Sequence, residues 1–246
     1  MRPSNHSAPK ATVPTATVPT ATRVVLARHG ETVWHADNRY AGGSSDIDLT
    51  ERGRAQAEQL ADWCRTANPD AIFSSPVRRA VETAQICADA IGAELNLVDD
   101  LTEVDFGTAE GRTVAELVEL DAGVVDRFRA DPVACPFPGS EPPERAADRA
   151  ARALREIAAA YPGGRVLVVA HNTVLRLGIC ALIGVPVSRY RVLFPRLDNA
   201  ALTELAVPLD RDTFSALLSL NAPAEGGQAR VGSARRGRST SRSTPA

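Results

Sequence analysis

The chain has 246 residues, 44% hydrophobic and 24% charged, with a formal net charge of −2, the balance of an ordinary globular protein. No apolar run approaches the roughly 20 residues that span a bilayer, and the first 22 residues lack the apolar centre of a secretory signal. Residues 1–22 carry +2 and residues 223–246 carry +4, which leaves −8 on the rest; an acidic body argues against nucleic-acid binding by the core, because phosphate neutralisation needs a basic face. Both ends are low in complexity: ATVPT repeats in tandem at 11–20, and the arginine-rich tail holds almost no large apolar residue. Neither can build a core, so 1–22 and 223–246 are expected to be disordered around a single domain at 23–222. The tail is read as a solvated extension, with acidic partners as the alternative. Four scattered cysteines, Cys64, Cys87, Cys135 and Cys180, show no metal-ligand spacing. They predict reduced thiols, three of them in helical core positions, and a cytoplasmic protein.

In chain order, RVVLAR (23–28) reads as a buried strand. Ala57, Leu60, Ala61 and Cys64 recur on one helical face within 50–66, with Thr50 placed as N-cap. DAIFSS (70–75) is a second strand, and Ser75-Pro76 predicts a cap and first-turn proline for a helix whose stripe is Ala80, Ala84, Cys87, Ala88 and Ile91. A short extended piece (94–98), a weakly helical segment (113–130) and a proline-rich loop (131–145) follow. Ala150, Ala153, Leu154, Ile157, Ala158 and Tyr161 mark a long helix that ends at Pro162-Gly163-Gly164. RVLVVAH (165–171) is a strand, 173–184 a helix, and strands are expected near 200–207 and 214–220. Alternating helices and fully apolar strands predict an α/β fold with a mostly parallel sheet covered on both faces. Ligands of such sheets bind beyond the carboxyl ends of the strands.

Three strands end in Arg28-His29-Gly30, in SSPVRR (74–79) and in Ala170-His171-Asn172. A parallel sheet brings these ends to one edge, assembling Arg28, His29, one of Arg78 and Arg79, and His171. Alone, each is most simply a partly buried polar residue; together they form a self-repelling cluster unless an anion is present. Phosphate suits guanidinium forks and turn amides. An arginine at a helix start opposes the dipole and calls for an anion. Binding needs only the arginines, whereas two histidines add a nucleophile or an acid–base pair. Gly30 is expected to let the chain turn tightly. A proton donor for a leaving oxygen is offered by Glu103, Asp105 or Glu110.

These stretches, ARHGET, DIDLTERGRAQA (46–57), IFSSPVRRAVETA (72–84), LTEVDFGTAEG (101–111), PFPGSEPPERAADR (136–149) and VLVVAHNTVLR (166–176), occur in one order. The chain over 23–220 thereby resembles the histidine phosphatase superfamily, also called the phosphoglycerate mutase-like family. The resemblance implies a three-layer α/β/α sandwich and a phosphoric monoester hydrolase of the histidine acid phosphatase type, using neither metal nor cofactor. Its substrate would be a small phosphorylated metabolite. His29 would become a phosphohistidine, while Arg28, Arg78 and His171 clamp the phosphoryl oxygens; Arg78 is taken, over Arg79, as the arginine of the family's SSPxxR. Glu103 would protonate the leaving group and then activate water. His35 stands where many members have asparagine and is expected to bind phosphate in its place. Asn172 stands where many have glycine, either contacting substrate or capping the next helix. The stretch 41–46 is one residue longer than usual. The loop 131–145 is expected to overhang the pocket, with Phe106, Phe128 and Phe137 as wall residues or core. A phosphoglycerate mutase is the alternative, disfavoured because the Arg and Tyr of an E-R-x-Y-G motif are missing after Glu103 and the linking segment is short. An inactive phosphate-binding module is a third reading, disfavoured by the complete residue set. Abundant alanine and arginine, with Lys10 the only lysine, point to a high-GC bacterial source.

Overall fold

The computed structural model describes residues 21–224. The extensions expected to be disordered lie outside the described residues, apart from 21–22 and 223–224. Thr22 already belongs to the domain: it is fully buried, and its hydroxyl donates to the carbonyls of Ala158 and Tyr161.

In chain order the main elements are β1 (Thr22–Arg28), α1 (Glu51–Ala67), β2 (Ala71–Ser74), α2 (Arg78–Ile91), β3 (Leu95–Leu97), α3 (Val114–Ala130) and α4 (Pro143–Ala160). Then come β4 (Arg165–Ala170), α5 (Asn172–Ile183), α6 (Tyr190–Leu193), β5 (Leu202–Val207) and β6 (Ala216–Ala222). The six strands form one sheet in the order β3-β2-β4-β1-β5-β6; the first four are parallel, β5 runs antiparallel to β1, and β6 antiparallel to β5. Alternation along a strand divides the core into two. Val24, Leu26, Val166 and Val168 pack with α4 and α5 on one face, while Val25, Ala27, Leu167 and Val169 pack with α1 and α2 on the other. This is the three-layer α/β/α sandwich, and burial on both faces explains the unbroken apolar strand sequences. Cys64, Cys87 and Cys180 are buried in helices, as expected, and none of the four cysteines is in a disulfide.

Several boundaries differ from expectation for local reasons. Thr50 does cap α1, accepting from the Gly53 amide. Ser75, however, does not cap α2, which starts at Arg78 behind Val77; the Ser75 hydroxyl is spent on the Val77 amide and on His171. Residues 113–130 read as weakly helical because α3 breaks at Asp121 (φ −163°, ψ 98°), whose carboxylate accepts from the Val124 amide and restarts the helix. The proline-rich loop is three residues shorter than expected, since Pro143 serves as a first-turn proline of α4.

Gly30 is required by a close approach rather than by its turn. Its φ is not positive, but a β-carbon there would lie 2.4 Å from the Gly53 carbonyl oxygen, and one on Gly53 would lie 2.1 Å from that of Glu31. The turn after β1 thus lies directly against the first turn of α1. Three further bonds fasten it: Gly30 N donates to Thr83 Oγ1 (3.0 Å), Glu31 N to Gln56 Oε1 (2.8 Å), and Thr50 N to Glu31 O (2.9 Å).

Candidate active site

Strand register builds the site. β1 and β4 pair in parallel with Arg28 opposite Ala170, so the residues that follow, His29 and His171, emerge side by side with ring centroids 5.1 Å apart. β2 lies on the other side of β4 with Ser74 opposite Val169, which delivers Ser75 to His171: its Oγ is 2.8 Å from Nε2. All three are buried.

His29 has a defined tautomer. Its Nδ1 lies 2.7 Å from the Gly30 carbonyl oxygen, an atom that can only accept, so Nδ1 carries the proton. The lone pair on Nε2 is left to receive the Arg79 Nε–H at 3.3 Å. Burial, then the neighbouring His171, Arg79 and Arg28, hold the imidazole well below its ordinary pKa. His171 is lowered likewise, by burial first and then by Arg79 and Arg28. Its Nδ1 is buried without a hydrogen-bond partner among the described residues, as is the Nε of Arg28. Arg28 donates through Nη1 to the Leu197 carbonyl (3.0 Å) and through Nη2 to His35 Nε2 (2.6 Å). Burial lowers Arg28 to about 10, so it stays cationic at neutral pH.

That bond fixes His35 as well. A guanidinium can only donate, so Nε2 accepts, and Nδ1 is set against Thr32, 3.0 Å from its amide nitrogen and 2.9 Å from Oγ1. Burial, followed by Arg28, pulls His35 down to about 4. His35 therefore lines the cavity as a neutral partner that orients Arg28. Asn172 does not cap α5; its Oδ1 accepts from the Leu197 amide (2.9 Å), tying the helix to the segment that closes one wall. Glu103 is buried at the N-terminus of α5. Its Oε1 accepts from the amides of Val104 (2.9 Å) and Val174 (2.8 Å), and its Oε2 from that of Thr173 (3.0 Å), the position a helix dipole favours for a carboxylate. Of the other two carboxylates, Glu110 is occupied by the Gly42 and Phe106 amides and the Ser45 hydroxyl, and Asp105 by the Gly107 amide.

Arg78 is not in the site. Its side chain is half exposed and reaches Asp46, Asp48 and Glu82. The arginine beside His29 is Arg79, fully buried, which also donates to the carbonyls of Ser45 (2.9 Å), Ala41 (3.1 Å) and Gly42 (3.0 Å). Adjacent helical residues point about 100° apart, so only one of the pair can face inward. Two signals in the sequence identify it. Position 79 lies one turn before buried Thr83 on the apolar stripe of α2, and two residues after Pro76 in SSPxxR place the arginine at 79. Asn199 was not anticipated either: its Nδ2 donates to the His29 carbonyl at 2.8 Å, and nothing local marks an asparagine before an antiparallel strand.

Arg28, His29, His35, Glu103, Asn172 and Asn199 line a cavity of about 530 Å³, while Arg79 and His171 lie behind His29 and are not part of its lining. Phe106 and Phe128 line it; Phe137 does not, and stacks on Phe128 in the core at 4.0 Å. The expected overhang by 131–145 is absent, because that loop borders a separate cavity through residues 139–142. The walls come instead from the end of α3 and from residues 190–199. Among the described residues no cluster has the composition of a metal site, and no helix is long and apolar enough to cross a membrane.

The buried neutral histidines make stability depend on pH in a definite sense. Their folded pKa lies below the unfolded value of about 6.5, so below that pH the unfolded chain binds more protons and stability falls as pH falls. Urea unfolding at stepped pH is expected to lose about 1.4 kcal/mol per pH unit for each such histidine between pH 6 and 5. A flat profile there would contradict the neutral burial of His29 and His171.

A sequence model of the histidine phosphatase superfamily (branch 1) matches residues 24–219. The chain is 33% identical over 168 residues to phosphoserine phosphatase 1 of Hydrogenobacter thermophilus, covering 68% of this chain and 79% of that protein. It is 32% identical over 183 residues to a probable phosphoglycerate mutase of Salmonella paratyphi C, covering 74% and 84%. Among solved structures, a mycobacterial glucosyl-3-phosphoglycerate phosphatase in complex with VO3 superposes with a TM-score of 0.74 at 28% identity, covering 81% of this chain and 99% of that one.

Proposed function

The chain belongs to the histidine phosphatase superfamily, and on that premise we propose that it is a metal-independent phosphomonoester hydrolase working through a phosphohistidine on His29. The observation that carries this reading is the His29 tautomer: Nδ1–H is tied to the Gly30 carbonyl, and the Nε2 lone pair faces buried Arg79, with buried His171 and part-buried Arg28 beside it. In the first step Nε2 attacks phosphorus, the ester P–O bond breaks, and the departing oxygen takes a proton from the Glu103 carboxyl. In the second, Glu103 draws a proton from water as that oxygen attacks phosphorus; the P–N bond breaks and orthophosphate departs. Arg28, Arg79 and the unpartnered His171 Nδ1 would donate to the phosphoryl oxygens as charge moves onto them, the contribution that usually dominates such transfers. For Nδ1 to donate, Nε2 must accept from the Ser75 hydroxyl, a role that hydroxyl can take.

Hydrolysis is favoured over mutase chemistry because, after Glu103, Val104 stands at the arginine and Phe106 at the tyrosine of an E-R-x-Y-G motif. Release of orthophosphate from p-nitrophenyl phosphate with excess chelator present is expected, without bisphosphoglycerate-dependent exchange of 2- and 3-phosphoglycerate. Exchange without net hydrolysis would establish the mutase instead, and inertness across pH 5–8 on several esters would leave a phosphate-binding module.

A further inference from the structure

The stretch PFPGSEPPERAADR (136–149) contributes no residue to the lining of the cavity that holds His29. Two of its charged residues nevertheless meet beside the segment that carries Glu103. Arg149, in α4, grips the Glu141 carboxylate as a fork, Nε to Oε1 and Nη2 to Oε2, both at 2.8 Å. Its Nη1 donates to the carbonyls of Asp100 and Thr102, both at 2.7 Å. The two side chains are largely buried, at 13% and 15% exposure. The Glu141 amide completes the clamp by donating to the Asp105 carbonyl at 2.9 Å. Thr102 and Asp105 flank Glu103, and residues 103–106 belong to neither helix nor strand, so no backbone ladder fixes where the Glu103 side chain starts. Its carboxylate is held by the amides of Val104, Thr173 and Val174, contacts that require the backbone at 103 to keep one distance from α5. A buried ion pair adds little net stability, because desolvation offsets the attraction. What a bidentate fork does supply is direction, and here the direction is passed to the carbonyls on either side of Glu103.

We propose that the Arg149–Glu141 pair is a positioning device for proton transfer: it holds residues 100–105 so that the Glu103 carboxyl meets the departing oxygen. The inference deepens the hydrolase reading and rests on it, with Glu103 as the acid. Neither Arg149 nor Glu141 lines the cavity, so the pair acts on the ester only through Glu103. A misplaced acid penalises only those leaving groups that need a proton, whereas a general loosening of the fold or of the phosphoryl pocket slows every ester alike.

Three esters of similar shape test it: p-nitrophenyl phosphate, whose phenolate departs unprotonated, phenyl phosphate, and benzyl phosphate, whose alkoxide must be protonated as it leaves. Their kcat/KM reports the first transfer, before water attacks. Arg149→Lys keeps the charge but not the fork, and Glu141→Gln keeps the shape but not the charge. Each is expected to lower kcat/KM about 30-fold on benzyl phosphate and less than about threefold on p-nitrophenyl phosphate, with phenyl phosphate between them. Glu103→Gln is expected to split the series in the same sense and more widely. Thermal melting shows which variants fold. If Glu103→Gln splits the series while the folded Arg149→Lys and Glu141→Gln enzymes lose activity equally on all three esters, or lose none, the proposal is overturned and the hydrolase reading stands. If both conservative variants fail to fold, the pair is a structural element and the proposal is overturned likewise. If Glu103→Gln does not split the series, Glu103 is not the acid and the positioning role falls with it; a wild-type enzyme inert on all three esters fails as a hydrolase, which ends both readings.

Discussion

Replacing His29 with alanine is expected to lower kcat/KM by a factor on the order of 10⁴ or more, the largest effect of any single change in the site. Removing a nucleophile deletes the covalent route, and nothing nearby can replace it. His171 Nε2 is engaged by Ser75, and His35 Nε2 by Arg28. Quenching the wild-type enzyme in base during turnover of a ³²P-labelled ester should trap label as an acid-labile, base-stable phosphoramidate, absent from His29→Ala. Retention of more than about 1% of activity in that variant, or label that survives acid, would defeat the assignment of the nucleophile.

The second large effect separates two adjacent arginines. Arg79→Ala is expected to reduce kcat/KM by roughly 10³-fold, because a donor aimed at the transferring group typically carries 10²–10³ and this one also bears the charge. It should lower the melting temperature too, since three loop carbonyls lose their donor. Arg78→Ala is expected to stay within about threefold of wild type, as its partners are surface carboxylates. Steady-state kinetics of the two variants on one ester make the comparison direct; an inert Arg78→Ala beside an active Arg79→Ala would reverse the structural assignment.

That pair also shows what could be read before the fold was in hand. The sheet, its parallel majority and the strand-end location of the site follow from apolar periodicity, because burial on two faces leaves few alternatives. His29 and His171 were legible since each directly follows a strand, and register then makes them neighbours. Arg79 was legible but misread: the helical stripe that buries Thr83 and Cys87 passes through 79, not 78. Ser75 was misread as a helix cap because a hydroxyl beside a proline looks the same whether it serves an amide or an imidazole. Asn199 and the wall formed by residues 190–199 were not legible at all. Their roles arise from a chain segment crossing back over the strand ends, a long-range placement that carries no local period. The proline-rich loop drew attention away from that wall through composition alone.

The back-to-back contact of Gly30 with Gly53, together with the three bonds that bind the turn to α1 and α2, has a consequence for motion. A segment fastened to side chains of both helices is held more firmly than an ordinary surface turn, and its amides are expected to be protected from exchange. His29 therefore sits on a firmly held turn. Whatever adjustment admits one ester and refuses another must be made by the opposite wall, so recognition can be retuned there while the reactive turn stays as it is.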